Sequence, residues 1–189
     1  MGRRGKKQIL VLMLDFVLTL NLLSFPLYFL IFFNIQFQFF KQLVALLSSY
    51  LLNLIGLRAM AIDNFIITNG YFYEVSWDST GWKSMYTFFS LVLSLPVLFK
   101  RKVKFLIFGL ALIFLFNLAR IVSTIYLSSQ KIVSFDFLHT FLWREVSMLF
   151  ILILWFIFLY VQKNNIGETK ILLGVFSGRR KHKIKAFRP

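Results

Sequence analysis

The chain has 189 residues, of which 59% are hydrophobic and 25 are phenylalanine, and its formal net charge is +15. The apolar residues come in long blocks, which are typical of membrane proteins and exclude an ordinary soluble domain. The absence of cysteine excludes disulfides, thiolate metal sites and a thiol nucleophile, and cations clustered beside apolar blocks argue against nucleic acid as a partner.

The first apolar block covers about residues 9–33 and follows a basic segment at residues 3–7. It is longer than the apolar region of a secretory signal, and no small-residue cleavage site follows it, so we predict a retained span. Pro26 is expected to kink this helix. A second, shorter block at 43–57 has three open interpretations: it spans the membrane, re-enters it or lies in the interface.

A polar stretch separates these blocks from the rest of the chain. It begins with "FIITNGYFYEV", in which Asn69-Gly70 between β-branched and aromatic residues predicts a tight β-hairpin. It ends with "WDSTGWKS" at residues 77–84, just before the next apolar block. Three further blocks, at about 85–99, 103–127 and 138–161, are each expected to cover roughly 30 Å of hydrocarbon as a helix, the first of them with a span that begins nearer Gly81. The predicted fold is an all-α polytopic membrane protein, a bundle of about four or five transmembrane helices with a short outer-face β-hairpin.

The distribution of cations predicts the orientation. Lys and Arg cluster at residues 3–7, 100–104 and 163–188, and the positive-inside rule puts such clusters in the cytoplasm. We therefore expect a multi-pass protein of the cell membrane with both termini cytoplasmic and the hairpin outside. Residues 1–162 are predicted to form one transmembrane domain, with a catalytic core at about 40–160, and residues 163–189 a basic cytoplasmic tail.

Several polar side chains are expected at the outer ends of the apolar helices. Arg120 lies within an apolar helix with Asn117 three residues earlier on the same face. Such a charge either faces a partner or cavity, or snorkels to the headgroups. His139 begins the last span as a base or an interfacial residue, and Asp136 either caps that helix or orients the imidazole. Ser79, before the third span, is either a nucleophile or a helix cap.

Taken together, these residues suggest a catalytic site. Three non-adjacent helices bring a hydroxyl, a guanidinium and an imidazole to the same depth, which is the set needed for a nucleophile, a charge stabiliser and a base. Gly81 allows close approach of the main chain at a helix start, where N–H groups point outward. No metal ligands and no cofactor are predicted.

The motifs "DSTGWKSM" and "NLARI", followed by a histidine at the start of the last span, resemble the exosortase/archaeosortase family over about residues 40–160. The resemblance implies a membrane transpeptidase or protease that cleaves C-terminal sorting signals of secreted proteins at the outer face. These signals consist of a short motif, an apolar helix and a basic tail, and the product is transferred to an acceptor, for which a membrane lipid is a candidate. By resemblance, Ser79 takes the nucleophile position, Arg120 the stabilising arginine position and His139 the histidine position.

Ser79 departs from the cysteine of the family. It is a serine nucleophile, the result of a Cys-to-Ser substitution, or the mark of a member that has lost activity. A hydroxyl needs a base positioned against it, so an active Ser79 requires His139 or a substitute within hydrogen-bond reach. The alternative function is a relative that binds sorting signals without processing them, or a non-enzymatic membrane assembly subunit.

Overall fold

The computed structural model describes residues 3–135, 137–138, 143 and 145–162, with side chains from residue 9 onward. The chain is mostly helical, with a small sheet between the second and third helices. The helices are α1 (Arg3–Phe32), α2 (Gln38–Leu54), α3 (Trp82–Ser94), α4 (Phe99–Ser129) and α5 (Glu145–Gln162). The strands are β1 (Ala59–Ile62), β2 (Phe65–Thr68) and β3 (Tyr71–Glu74). A 3₁₀ turn at Asp78–Thr80, here called the Ser79 turn, joins the sheet to α3.

Within the described residues, three helices are long and apolar enough to cross a membrane. They are α4, α5 and the segment Ile9–Phe32 of α1, with 31, 18 and 24 residues. Helix α2, with 17 residues, and α3, with 13 residues, fall short of that length. The chain is therefore a multi-pass membrane protein whose shorter helices pack beside three candidate spans.

Helix α3 ends earlier than its apolar block predicts. At about 1.5 Å per residue it is roughly 20 Å long, against about 30 Å of hydrocarbon. The block continues to residue 99, but Leu95 is extended (φ −72°, ψ 137°) and Pro96 follows it. Proline disfavours the helical conformation for the residue before it, so the helix ends at Ser94.

The sheet has three antiparallel strands in the order β1-β2-β3. The predicted hairpin at Asn69-Gly70 is confirmed as the β2–β3 connection, and the two turn residues have φ of 49° and 79°, as a type I′ turn requires. The third strand, β1, was not predicted, since its sequence Ala-Met-Ala-Ile carries little β-propensity. It joins β2 through a second two-residue turn, in which Asp63 has φ of 53°.

Two hydrophobic clusters hold these elements together. The first joins α2, the sheet and the later half of α4, and its buried residues include Val44, Leu52, Ile66, Val75, Leu118, Ile121 and Ile125. The second joins α3, the earlier half of α4 and α5, and includes Phe88, Val92, Leu106, Ile113, Ile151, Leu154 and Phe158. Helix α4 contributes to both, so it sets the position of the sheet relative to α3.

Helices α3 and α4 run antiparallel at close range. The ammonium of Lys102 donates a 2.6 Å hydrogen bond to the carbonyl of Leu93 at the end of α3. Further along, Gly109 faces the fully buried ring of Phe88, and a Cβ at position 109 would clash with that ring. The missing side chain at Gly109 thus allows the close packing that brings the beginning of α3 to the later half of α4.

We predict that Gly109→Ala destabilises the protein. Alanine gains about 1 kcal/mol of helix propensity over glycine, but its methyl group would displace the fully buried ring of Phe88. Overpacking of this kind typically costs about 1–3 kcal/mol. The test is the thermal unfolding midpoint in detergent, with Ala111→Val, which adds methyl groups on the exposed side of the same helix, as the control. A midpoint for Gly109→Ala at or above that of the parent would contradict this packing.

Candidate functional site

The Ser79 turn is a buried segment of main chain stabilised by local hydrogen bonds. The Ser79 N–H donates to the carbonyl of Ser76 at 3.0 Å, and the Thr80 hydroxyl donates to the carbonyl of Trp77 at 2.8 Å. Ser79 is 7% exposed and Thr80 is fully buried. Two of the three residues of this polar turn are therefore removed from solvent, where their main-chain groups need partners.

Helix α4 supplies those partners from one face. The side-chain amide of Asn117 donates to the main-chain carbonyl oxygen of Ser79 at 3.0 Å, and the guanidinium of Arg120 donates to the same oxygen at 3.0 Å. The three-residue spacing puts both donors on one side of the helix. The structure thus brings Ser79, Asn117 and Arg120 together, and Arg120 faces a partner inside the protein.

Two structural features require glycine at position 81. Its φ is +81°, a left-handed conformation that side chains disfavour. A Cβ at this position would also lie 2.7 Å from Cγ of Asn117. The glycine that ends the Ser79 turn therefore lets the chain bend into α3 while resting directly on the amide that holds Ser79.

The hydroxyl of Ser79 is hydrogen-bonded to the hydroxyl of Ser76 at 2.8 Å, and either oxygen can act as the donor. Ser76 Oγ also accepts a bond from the Ser79 N–H at 3.3 Å. Ser76 was not predicted to belong to the site. The available signal was its position three residues before Ser79, where a hydroxyl commonly bonds the main chain of a following turn.

A cavity of about 30 Å³ opens beside Ser79 and Arg120, which is large enough to hold a water molecule. Its wall is built from β3 and α4, and includes Glu74, Thr124 and Phe135. A guanidinium carries several N–H donors, and only one is used on the carbonyl of Ser79. The cavity thus combines a hydroxyl, a cation and a carboxylate-bearing strand.

The remaining predicted site residues, His139 and Asp136, lie outside the described residues. Phe135, which precedes them in the chain, lines the cavity and packs against Tyr73 with ring centroids 5.6 Å apart. Within the described residues, no three His, Asp or Glu side chains gather as metal ligands would.

The two tryptophans flanking the turn pack inward. Trp77 and Trp82 stack with centroids 5.2 Å apart, and Trp82 is only 8% exposed. Trp77 also contacts Phe37 and Phe40 at the start of α2. The pair therefore holds the turn against α2. Asp78 and Lys83, each next to one of these tryptophans in sequence, form an exposed 2.8 Å ion pair of the kind that contributes little stability.

Comparison with known protein families identifies the class of protein. A family model described as transmembrane exosortase (Exosortase_EpsH) matches residues 3–162. The chain therefore belongs to the transmembrane exosortase family, whose members are membrane transpeptidases or proteases that act on secreted proteins with C-terminal sorting signals. No curated protein and no solved structure matches the chain.

A double-mutant cycle tests the contact between Gly81 and Asn117. We expect Gly81→Ala and Asn117→Ala each to destabilise the protein, the first by backbone strain plus a clash and the second by the loss of a buried hydrogen bond. In the double variant the amide is gone, so most of the clash disappears. We therefore expect the destabilisation of the double variant to be smaller than the sum of the two single destabilisations by at least about 0.5 kcal/mol. The measurement is the free energy of unfolding in mixed micelles, and additivity within about 0.3 kcal/mol would exclude the contact.

Proposed function

We propose that this exosortase-family protein cleaves sorting signals with Ser79 as the nucleophile and Arg120 as the stabilising cation. The observation that carries the proposal is the pair of hydrogen bonds from Asn117 and Arg120 to the carbonyl of Ser79, beside a cavity that both Ser79 and Arg120 line. Groups from α4 and from the turn before α3 thereby meet at one point, as a nucleophile and a charge stabiliser must.

The depth of the site supports action at the outer face. Arg120 follows Lys104 by 16 residues on α4, which is about 24 Å along a helix. If Lys104 marks the cytoplasmic boundary, as the positive-inside rule expects, the guanidinium lies about 6 Å inside the opposite boundary of a roughly 30 Å hydrocarbon layer. We accordingly assign residues 1–162 to the membrane domain, with both termini cytoplasmic, and residues 163–189, outside the described part of the chain, to a basic cytoplasmic tail.

In the proposed first step, Ser79 Oγ attacks the carbonyl carbon of the scissile peptide while His139 takes the hydroxyl proton. We assign His139 this role because the resemblance to the family gives this position to a histidine. The unused N–H donors of Arg120 stabilise the oxyanion. The C–N bond then breaks, the leaving amine takes the proton from the imidazolium, and an ester at Ser79 remains.

In the second step, an acceptor hydroxyl, amine or water attacks the ester carbonyl and gives its proton to His139. The C–Oγ bond breaks, and Ser79 recovers its proton from the imidazolium. We propose a membrane lipid as the acceptor, because the site is expected within a few Å of the headgroups. Asp136 is proposed to orient the imidazole, and Asn117 and Gly81 to hold the main chain of Ser79 during both steps.

A second candidate function has support from the same hydrogen bonds. Asn117 and Arg120 bond to the main chain of Ser79 and not to its hydroxyl, so these contacts would equally serve a member that binds sorting signals without cutting them. A serine hydroxyl, unlike a cysteine thiol, is scarcely ionised near neutral pH and depends on its base. Reporter processing by variants at position 79 distinguishes cleavage from binding alone.

The test follows a secreted reporter with a C-terminal apolar helix and basic tail, expressed with the parent protein, Ser79→Ala or Ser79→Cys. We expect the parent to process the reporter and Ser79→Ala to abolish processing, because the nucleophile is removed. Ser123→Ala is the matched control, since Ser123 on α4 donates only to main-chain carbonyls of its own helix. Processing by Ser79→Cys alone, or by no form, would overturn serine catalysis and favour the binding function.

Arg120→Lys tests the role of the guanidinium. Lysine keeps the charge but is a point donor that cannot hold the Ser79 carbonyl and an oxyanion in the fixed geometry of arginine. We expect the rate of reporter processing to fall about 10²–10³-fold, the usual loss for one oxyanion donor. Arg58→Lys, on the loop between α2 and β1, is the control. An Arg120→Lys form as fast as the parent would show that charge alone suffices.

A further inference from the structure

The outer edge of β3 carries unused main-chain hydrogen-bonding groups. The N–H of Val75 donates to the carbonyl of Asn64 at 2.8 Å, and in an antiparallel pair hydrogen-bonded positions recur at every second residue. Tyr71 and Tyr73 therefore direct their main-chain groups to β2, while Phe72 and Glu74 direct theirs away from the sheet. In the described part of the chain, no segment bonds to these outward groups.

The opposite edge of the sheet is covered. Ala59 of β1 pairs with Thr68, a position whose own hydrogen bonds go to β3, so the main-chain groups of Ala59 also point outward. There the side chain of Asn53 on α2 satisfies both: its amide donates to Ala59 O at 2.8 Å, and its oxygen accepts from Ala59 N at 3.0 Å. One edge is thus closed by an amide that imitates a strand, and the other is left open.

The open edge leads directly to the candidate site. Strand β3 ends at Glu74, and Ser76, two residues later, bonds to the hydroxyl of Ser79. Tyr73, Glu74 and Val75 also wall the cavity that Ser79 and Arg120 line. An extended chain advances about 3.3 Å per residue, so a peptide paired with Phe72 and Glu74 would reach Ser79 within a few residues.

We propose that the open edge of β3 binds the extended segment that precedes the apolar helix of a secreted substrate, adding it to the sheet as a fourth strand. Main-chain hydrogen bonds to Phe72 and Glu74 would supply affinity whatever the sequence of the segment, while the cavity reads the residues nearest the cut. The identity of this occupant rests on the proposed function, because the segment before the apolar helix is the part that must reach Ser79.

Photo-crosslinking in Ser79→Ala tests the binding without requiring catalysis. A photoreactive phenylalanine is placed at Phe72 or at Met60, and the probe is the unprocessed reporter with its apolar helix and basic tail. The two positions make a matched pair, because both side chains are exposed, at 70% and 63%, and both align with Ile67 across the sheet. We expect a crosslink from position 72 to the segment before the apolar helix, at least about 5-fold stronger than from position 60, because α2 packs beside β1, whereas no described segment pairs with the outer edge of β3.

Backbone substitution separates edge pairing from side-chain contact. Phe72→Pro removes the outward N–H, whereas Phe72→Ala keeps it, and Ala61→Pro removes an outward N–H on the covered edge. We expect the crosslink, measured from a photoreactive residue at Glu74, to fall about 3- to 10-fold in Phe72→Pro relative to Phe72→Ala, and to persist in Ala61→Pro.

Equal crosslinking at positions 72 and 60, or no difference between the proline and alanine forms, would overturn the proposal. Reporter processing without a position-72 crosslink leaves the proposed function intact, and a crosslink without processing by any form removes the function but not the edge site.

Discussion

The structure of this exosortase-family protein depends on one buried main-chain carbonyl. The oxygen of Ser79 belongs to a buried residue, where an unpaired carbonyl would cost about 1–3 kcal/mol, and it accepts hydrogen bonds from Asn117 and Arg120. A charged side chain in an apolar helix is costly unless it has such a partner. Each group therefore stabilises the other, and the Ser79 turn is fixed against α4.

Other features of the fold follow from that contact. Gly81 must lack a side chain because the chain turns directly over Asn117, and Gly109 must lack one so that α3 lies close enough to α4 for the turn to reach it. The sheet packs on the same helix through Ile66 and Val75. As a result, the end of β3 and the start of α3 meet at Ser79, and the proposed chemistry and the proposed substrate edge share one cavity.

The sequence predicts those parts of the fold that are determined locally. The Asn69-Gly70 turn requires two positive φ angles, and the spacing of Asn117 and Arg120 puts them on one helical face, so both are readable from residues alone. Strand β1 cannot be read from its residues alone. Its sequence has low β-propensity, so its conformation depends on contacts with Asn53 and β2. The early end of α3, by contrast, has a local signal in Pro96, which the apolar block around it obscured. That Arg120 bonds to the Ser79 carbonyl and not its hydroxyl, and that Ser76 joins the site, depend on tertiary contacts that composition does not encode.

The contact between the Ser79 carbonyl and the Arg120 guanidinium can be measured directly in a membrane. Solid-state NMR in lipid bilayers can measure the dipolar coupling between the ¹³C carbonyl of Ser79 and the guanidinium ¹⁵N of Arg120. An N···O distance of 3.0 Å implies a carbon–nitrogen distance of about 4 Å, and a coupling of that size is the predicted result. A coupling too weak for any separation below about 7 Å, together with contacts from the guanidinium to lipid phosphate, would mean that Arg120 snorkels to the headgroups and would contradict the account.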